Sequence, residues 1–278
     1  MKPSLHDDIR GHARQTSLPW GVQGNILALN KINELVRAHD MPGCEIEALA
    51  LQLGIFPDRY LRNMQSITPA AQIRLLESRV AQVGIGGLGG TLLEHFLRLG
   101  VGRIRAADGD VFEASNLNRQ ALSRISNMGQ PKVRAAELMA AEINPSTCLE
   151  TVNEFLTPES LPLFLEGCDL AVDALGGLTM RRHLQQAASQ AGIPLVTGAL
   201  AGWTGYVGVV MPGQIGPADI MGTNNAAEEE LGCPAPAVTF IASLMASETV
   251  NILSHTSTLA GKMLVVDLCS QTFETITL

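Results

Sequence analysis

The stretch Arg79-Val-Ala-Gln-Val-Gly84-Ile-Gly86-Gly87-Leu-Gly89-Gly90-Thr91 decides the fold. Val80 to Val83 reads as a short buried strand that runs straight into glycines, and Thr91 to Leu99 reads as a helix ended by Gly100. Between them Gly84, Gly86 and Gly89 fit G-x-G-x-x-G, with Gly87 as an additional small residue. A Cβ in such a turn would block both the tight bend and the approach of phosphate oxygens. The free N–H groups and partial positive charge of the helix N-terminus then favour an anion. Asp108 ends the next strand, placed for a ribose hydroxyl. The motif predicts a bound nucleotide but does not separate NAD, FAD and ATP.

Outward from this turn, strands and helices alternate. Arg103 to Ala107 reads as a strand, Pro131 to Ile143 as a helix closed by Asn144-Pro145, and Cys148 to Asn153 as a strand. Asp169 to Asp173 reads as a buried strand, Thr179 to Ala191 as a helix, and Pro194 to Thr197 as a strand. The succession predicts a doubly wound, Rossmann-like, mostly parallel α/β sheet with right-handed crossovers. Tyr206 to Met211, Met263 to Asp267 and Thr272 to Thr277 read as strands, the last two as an antiparallel hairpin around Cys269-Ser270-Gln271. Ahead of the sheet, Ile26, Leu27, Leu29, Ile32, Leu35 and Val36 recur at helical spacing, followed by helices at Glu45 to Leu53 and Pro69 to Glu77. Residues 1–75 are expected to form a small helical N-terminal segment and residues 76–278 the nucleotide-binding domain.

The composition narrows the function classes. A net charge of −8 without a basic tract excludes a nucleic-acid surface built on clustered Lys and Arg. Five scattered cysteines without a Cys-x-x-Cys pair predict neither a disulfide framework nor structural zinc, and fit a reducing cytoplasm. The apolar stretch Ala237 to Leu253, interrupted by Ser243, Ser247, Glu248 and Asn251, is expected to be a buried helix rather than a membrane span.

Asp108-Gly-Asp110-Val-Phe-Glu-Ala-Ser-Asn116-Leu-Asn-Arg119-Gln120, followed by Gly129-Gln-Pro-Lys132, is a polar loop just beyond the ribose acid. Hydride transfer gives no reason for Asn, Arg, Gln and Lys there, whereas attack on an α-phosphate does, because growing charge on phosphoryl oxygens must meet fixed cations and donors. On residues alone, a solvated loop remains the equal alternative.

The combination of Val83-Gly-Ile-Gly-Gly-Leu-Gly, Gly100-Val-Gly, Asp108-x-Asp110, Asn116-Leu-x-Arg119-Gln120, Gly129-Gln-Pro-Lys132 and Ile143-Asn-Pro145 resembles the ThiF/MoeB/HesA adenylyltransferases, the bacterial relatives of ubiquitin-activating enzymes. The similarity spans about residues 59–278, and Asn-Leu-x-Arg-Gln is its most diagnostic element. It implies a homodimer that uses ATP and Mg²⁺ to adenylate the C-terminal glycine of a ubiquitin-like sulfur carrier with a Gly-Gly tail. It further implies that Asp108 holds the ribose, with Asp110 and Gln120 also in the nucleotide site. Asn116, Arg119 and Lys132 would meet the phosphates. Arg62, in Arg59-Tyr-Leu-Arg62-Asn, would reach the partner subunit's ATP. The tract from Ile215 to Glu230 falls where relatives carry a crossover loop over the carrier tail.

Three departures from the family pattern matter. Where the family has Asp-x-x-Asp-Asn, with the second Asp linked to Mg²⁺, this chain has Asp173-Ala-Leu-Gly176-Gly177. Three readings stand: the chain binds ATP with impaired chemistry and acts as a regulatory or scaffold homologue, Asp173 takes the metal through a reshaped glycine loop, or a different nucleotide fits the extra room. The Cys-x-x-Cys pairs that hold zinc in many relatives are missing. Cys233 falls near, but not on, the reactive cysteine of some relatives and is read as structural. A nicotinamide oxidoreductase ranks last, because no Tyr-x-x-x-Lys or His/Asp pair offers a hydride-transfer site.

Overall fold

The computed structural model describes residues 4–221, 230–256 and 259–278. At its centre is a sheet with strand order β11-β10-β9-β8-β7-β4-β5-β6. The parallel half comprises β4 (Arg79–Val83), β5 (Arg103–Ala107), β6 (Cys148–Val152), β7 (Leu170–Asp173) and β8 (Leu195–Ala201). The antiparallel half adds β9 (Thr204–Val210), β10 (Lys262–Asp267) and β11 (Thr272–Thr277). Residues of β4 and β7 alternate fully buried side chains on both faces, as expected of strands covered by helices on each side.

One face carries α5 (Gly87–Leu99), α6 (Lys132–Ile143) and α10 (Ala235–Leu253). There Leu92, Phe96, Ala136, Ile241 and Met245 share one core. The other carries α7 (Leu161–Leu165) and α8 (Thr179–Gln190), where Phe164, Leu184 and Ala188 pack beneath Ala81, Val83 and Ala171. By length and hydropathy α10 would suffice to cross a bilayer, despite the polar residues that interrupt the stretch. Its burial decides the matter: Val238, Ile241, Ala242 and Met245 face α5 and the sheet.

The sheet order reverses between β4 and β7. Crossovers from these two strands leave in opposite directions, which opens a crevice at their C-terminal ends.

The N-terminal part is mostly helical, with α1 (Leu5–His12), α2 (Leu29–His39), α3 (Gly43–Gln52) and α4 (Pro69–Glu77). It also holds a three-stranded sheet that the helical expectation lacks: β1 (Arg14–Ser17) antiparallel to β2 (Gln23–Leu27), and β2 parallel to β3 (Ile55–Pro57). Ile26 and Leu27 therefore belong to β2, and α2 begins only at Leu29. Two adjacent apolar residues satisfy a helical stripe and a buried strand end equally well, and the strand end wins because both pair in the ladder to β3, while Leu27 joins Ile32 and Ile55 in a common core. Within the tract Ile215 to Glu230, Pro217–Ile220 forms the short helix α9, and residues 222–229 lie outside the described residues.

Candidate functional site

The crevice at the strand switch is a cavity of about 570 Å³. Its floor is the glycine turn. Gly84 has φ +99°, a left-handed backbone, and a Cβ there would strike the carbonyl oxygen of Ala174 on the loop after β7. A Cβ on Gly89 would strike the carbonyl of Gly84, so this glycine lets α5 start against β4. Gly86 differs: the nearest atom to its hypothetical Cβ is Gln120 Nε2 at 3.7 Å, so its backbone fronts open cavity. Gln82, fully buried in β4, braces the turn by donating from Nε2 to the carbonyls of Gly84 (3.0 Å) and Gly89 (2.9 Å). Nothing in the motif marked Gln82; a polar residue inside an otherwise apolar strand was the available signal.

Asp108 closes one side. Its Oδ2 accepts from the backbone N–H of Ile85 at 2.7 Å and its Oδ1 from the N–H of Asp110 at 2.9 Å, tying the end of β5 to the glycine turn. Lys132, whose side chain is almost fully buried at the start of α6, lies 2.8 Å from Asp110 Oδ2 and 3.8 Å from Asp108 Oδ1. The ammonium thus sits at the cavity wall, held by two carboxylates. Asn116 caps its own short helical turn, its Oδ1 accepting from the N–H of Glu113 at 3.1 Å. Arg119, half-buried, lines the cavity and donates to the carbonyl of Ser115 and Oδ1 of Asn118.

Gln120 also lines the cavity, is buried, and its Oε1 has no hydrogen-bond partner. A buried orphan acceptor costs roughly 1–3 kcal/mol, and a nucleotide donor in the cavity would recover it. The open backbone at Gly86 and this orphan acceptor fit a nucleotide.

The residues gathered from the sequence therefore converge: Gly84, Gly86, Gly87, Asp108, Asp110, Asn116, Arg119, Gln120 and Lys132 line one cavity, and Gly89 shapes its floor. Arg62 does not join them. It is exposed on the segment after Tyr60, outside the cavity lining. The neighbouring Arg59 is no solvated-face residue. Its Nε lies 3.2 Å from Glu47 Oε1 and its guanidinium reaches Asn144. Tyr60 donates to Glu47 Oε2 at 3.0 Å and accepts from Asn144 Nδ2 at 3.0 Å. Burial pushes the Glu47 carboxyl above its ordinary range, while Arg59, Tyr60 and Ser146 pull it down. This network fixes the start of the segment that presents Arg62.

Asp173 is the main correction. It lines up at the end of β7 as expected, but it is fully buried and both oxygens are engaged. Oδ2 accepts from Arg181 at 2.8 Å and from the Thr197 hydroxyl at 2.7 Å, and Oδ1 from the N–H of Leu175 at 3.1 Å. Arg181 continues to the carbonyls of Gly177 (3.0 Å), Gly198 (3.0 Å) and Leu175. A guanidinium already satisfies the charge that a metal would need, so Mg²⁺ does not fit at Asp173. Among the described residues no group of three or more His, Cys, Asp or Glu side chains is arranged to hold a metal. Gly176 stands exposed at the cavity edge with no atom within 4 Å of where its Cβ would be. Cys233 is buried and also lines the cavity.

Against known proteins, the ThiF family model matches residues 60–278. The molybdopterin-synthase adenylyltransferase of Salmonella typhimurium is 32% identical over 202 residues, covering 70% of this chain and 81% of that protein. The sulfur carrier protein adenylyltransferase of Thermus thermophilus is 33% identical over 236 residues, covering 79% and 86%. Among solved structures, E. coli MccB with ATP superposes with a TM-score of 0.69 at 16% identity, covering 88% of this chain and 82% of that one. At that identity the likeness is one of fold.

Proposed function

The chain belongs to the ThiF family, and on that premise we propose that it is an ATP-dependent adenylyltransferase for the C-terminal glycine carboxylate of a small ubiquitin-like sulfur carrier. The observation that carries this reading is the cavity itself, where a glycine turn open at Gly86 faces Lys132, Arg119 and the orphan acceptor of Gln120. The two adenylyltransferases described above, of molybdopterin synthase and of a sulfur carrier protein, match over more than four fifths of their own length and support this reading.

In this reaction the carrier carboxylate attacks the α-phosphorus of ATP, an acyl-phosphate bond forms, and the bond to pyrophosphate breaks. Asp108 would orient the ribose. Lys132 and Arg119 would meet the negative charge that builds on the phosphoryl oxygens. Arg62, exposed and outside its own cavity, would reach the nucleotide of a second subunit in a homodimer. No step is routed through a metal, since Asp173 is closed by Arg181. Carrier-dependent exchange of pyrophosphate into ATP tests the proposal. Exchange that appears only with a carrier ending in Gly-Gly, and falls by a decade or more in Lys132→Ala, is the expected result. ATP binding without exchange against any candidate carrier would overturn it.

One observation favours a second reading. The loop Leu175–Gly177 presents no carboxylate, and the nearest one is spent on an internal ion pair. A nucleotide-binding homologue with impaired turnover would look the same, and the exchange assay separates the two.

A further inference from the structure

Far from the nucleotide cavity, at the opposite end of the parallel strands, two cysteines from distant parts of the chain meet. Cys44 is fully buried in the first turn of α3, and Cys148 is the exposed first residue of the edge strand β6. Backbone contacts hold them together. The N–H of Cys44 donates to the carbonyl of Ser146 at 3.0 Å, and the N–H of Cys148 donates to the carbonyl of Gly102 at 2.9 Å. At Gly43 a Cβ would lie 2.7 Å from Ser146 Cα, so α3 packs against this turn more closely than a side chain would permit.

Cys148 opens into a cleft of about 170 Å³ that also exposes Arg79 and Arg103. Arg103 pairs across the ladder with Cys148 and forms an ion pair with Glu45, the neighbour of Cys44. The two thiols are unequal. The Cys44 thiol beside it, together with Arg103 and Arg79, lowers the Cys148 thiol to about 6, against a raising effect of burial. The Cys44 thiol is pushed up, first by its contact with Cys148 and then by burial.

We propose that Cys148 and Cys44 form a reversible thiol–disulfide site, with Cys148 as the attacking thiolate, Cys44 as the resolving thiol, and a small anionic disulfide of the glutathione type as the oxidant. The Cys148 thiolate attacks one sulfur of the small disulfide. That S–S bond breaks, one small thiolate leaves, and it takes up the proton released from Cys148. Cys44 then loses its proton, attacks Cys148 Sγ and expels the second small thiolate, which takes up that proton. Two protein thiols are oxidised and one small disulfide is reduced to two thiols. The two arginines match the carboxylates of such an oxidant. Burial keeps Cys44 out of its reach except through Cys148. The product would bolt α3, and with it the Glu47–Arg59–Tyr60 network one turn further along, to the edge of the main sheet. The site does not depend on the adenylation reading.

The test uses the reduced full chain with oxidised glutathione, capping with iodoacetamide after denaturation, and peptide mapping by mass spectrometry. The wild type is expected to give a Cys44–Cys148 cross-link that dithiothreitol reverses. Closing a loop of roughly 100 residues should also raise Tm by about 5–15 °C. Cys44→Ser should trap a glutathione adduct on Cys148, and Cys148→Ser should leave Cys44 free. Because position 148 is exposed, the wild type and Cys148→Ser carry the test even if the Cys44 variant folds poorly. The proposal fails if the wild type keeps both as free thiols under conditions that modify the exposed Cys269. It fails equally if Cys44 is modified without Cys148.

Discussion

Asp173→Ala removes one half of an ion pair whose side chains are only 1% and 4% exposed. Arg181 would keep its carbonyl partners but lose the carboxylate it is paired with in the protein interior. Removing one partner of a buried ion pair costs about 3–5 kcal/mol. For a chain of this size each kcal/mol moves Tm by about 2–4 °C, so a fall of roughly 10 °C is expected. The consequence reaches the cavity, because Arg181 also holds the carbonyls of Leu175 and Gly177, and that loop is the wall facing the glycine turn. Nucleotide affinity should therefore fall together with stability. Thermal unfolding with and without ATP reads both quantities. The double variant Asp173→Ala/Arg181→Leu supplies the control: with both halves of the ion pair replaced, it should be more stable than Asp173→Ala alone. Were the double variant to lose the sum of both single losses, or Asp173→Ala to cost less than about 1 kcal/mol, the pair would not be the internal tie described here.

Three further outcomes follow from single positions. Gly84→Ala forces a side chain into a left-handed backbone and against the Ala174 carbonyl, and should lower stability by at least about 1–3 kcal/mol in chemical denaturation; a neutral result would mean the turn relaxes freely. Gly176→Asp meets no atom within 4 Å of its Cβ, so Tm should move by less than the equivalent of about 0.5 kcal/mol. If the missing carboxylate limits turnover, pyrophosphate exchange should rise by about two decades with Mg²⁺ present, and an unchanged rate would locate the limit elsewhere. Glu47 is a carboxyl raised in the folded protein by burial. The stability it contributes is complete below the ordinary carboxylate range and is lost as pH rises through the folded value. The Tm of Glu47→Gln relative to wild type should accordingly climb as pH rises from the ordinary carboxylate range upward, and a flat difference would show that Arg59 offsets the burial completely.

The inner strands of the parallel half were legible because β4 and β7 are short, largely apolar runs ended by a glycine or an acid, and the edge strand β6 was placed by the helix stop Asn144-Pro145 ahead of it. Pro69–Glu77 and Thr272–Thr277 fall where the sequence placed them, the first by a proline at the helix start and the second by the short turn between two strand runs. The N-terminal strands were not legible. Arg-Gln-Thr-Ser at 14–17 is mostly exposed and carries no apolar alternation, and only its ladder to β2 makes it a strand. In the site, the glycines, Asp108, Asn116, Arg119, Gln120 and Lys132 were readable because they lie within one stretch of chain. Arg181 was not, since its partner is eight residues away on the preceding strand and its role depends on the third contributor, Thr197, from β8. Likewise the contact between Cys44 and Cys148 exists only because α3 docks on the edge of the main sheet.

Position 176 changes the charge account of the cavity. A pocket that carried a free carboxylate there would need a metal to lie between it and the triphosphate, since two anions cannot approach without a cation between them. With glycine at 176 and Asp173 neutralised by Arg181, that repulsion is gone. Lys132 is restrained by Asp110, whose carboxylate is half exposed and faces the cavity. An incoming phosphate would compete with Asp110 for the ammonium rather than meet an unpaired one. The side chain is held at the cavity wall by Asp110 and Asp108, so little ordering remains when nucleotide enters. Such preorganisation favours binding directly, but it favours turnover only where the charge grows in the transition state. Under the proposed adenylation, turnover would depend on whether Lys132 and Arg119 track the phosphoryl oxygens as pyrophosphate departs.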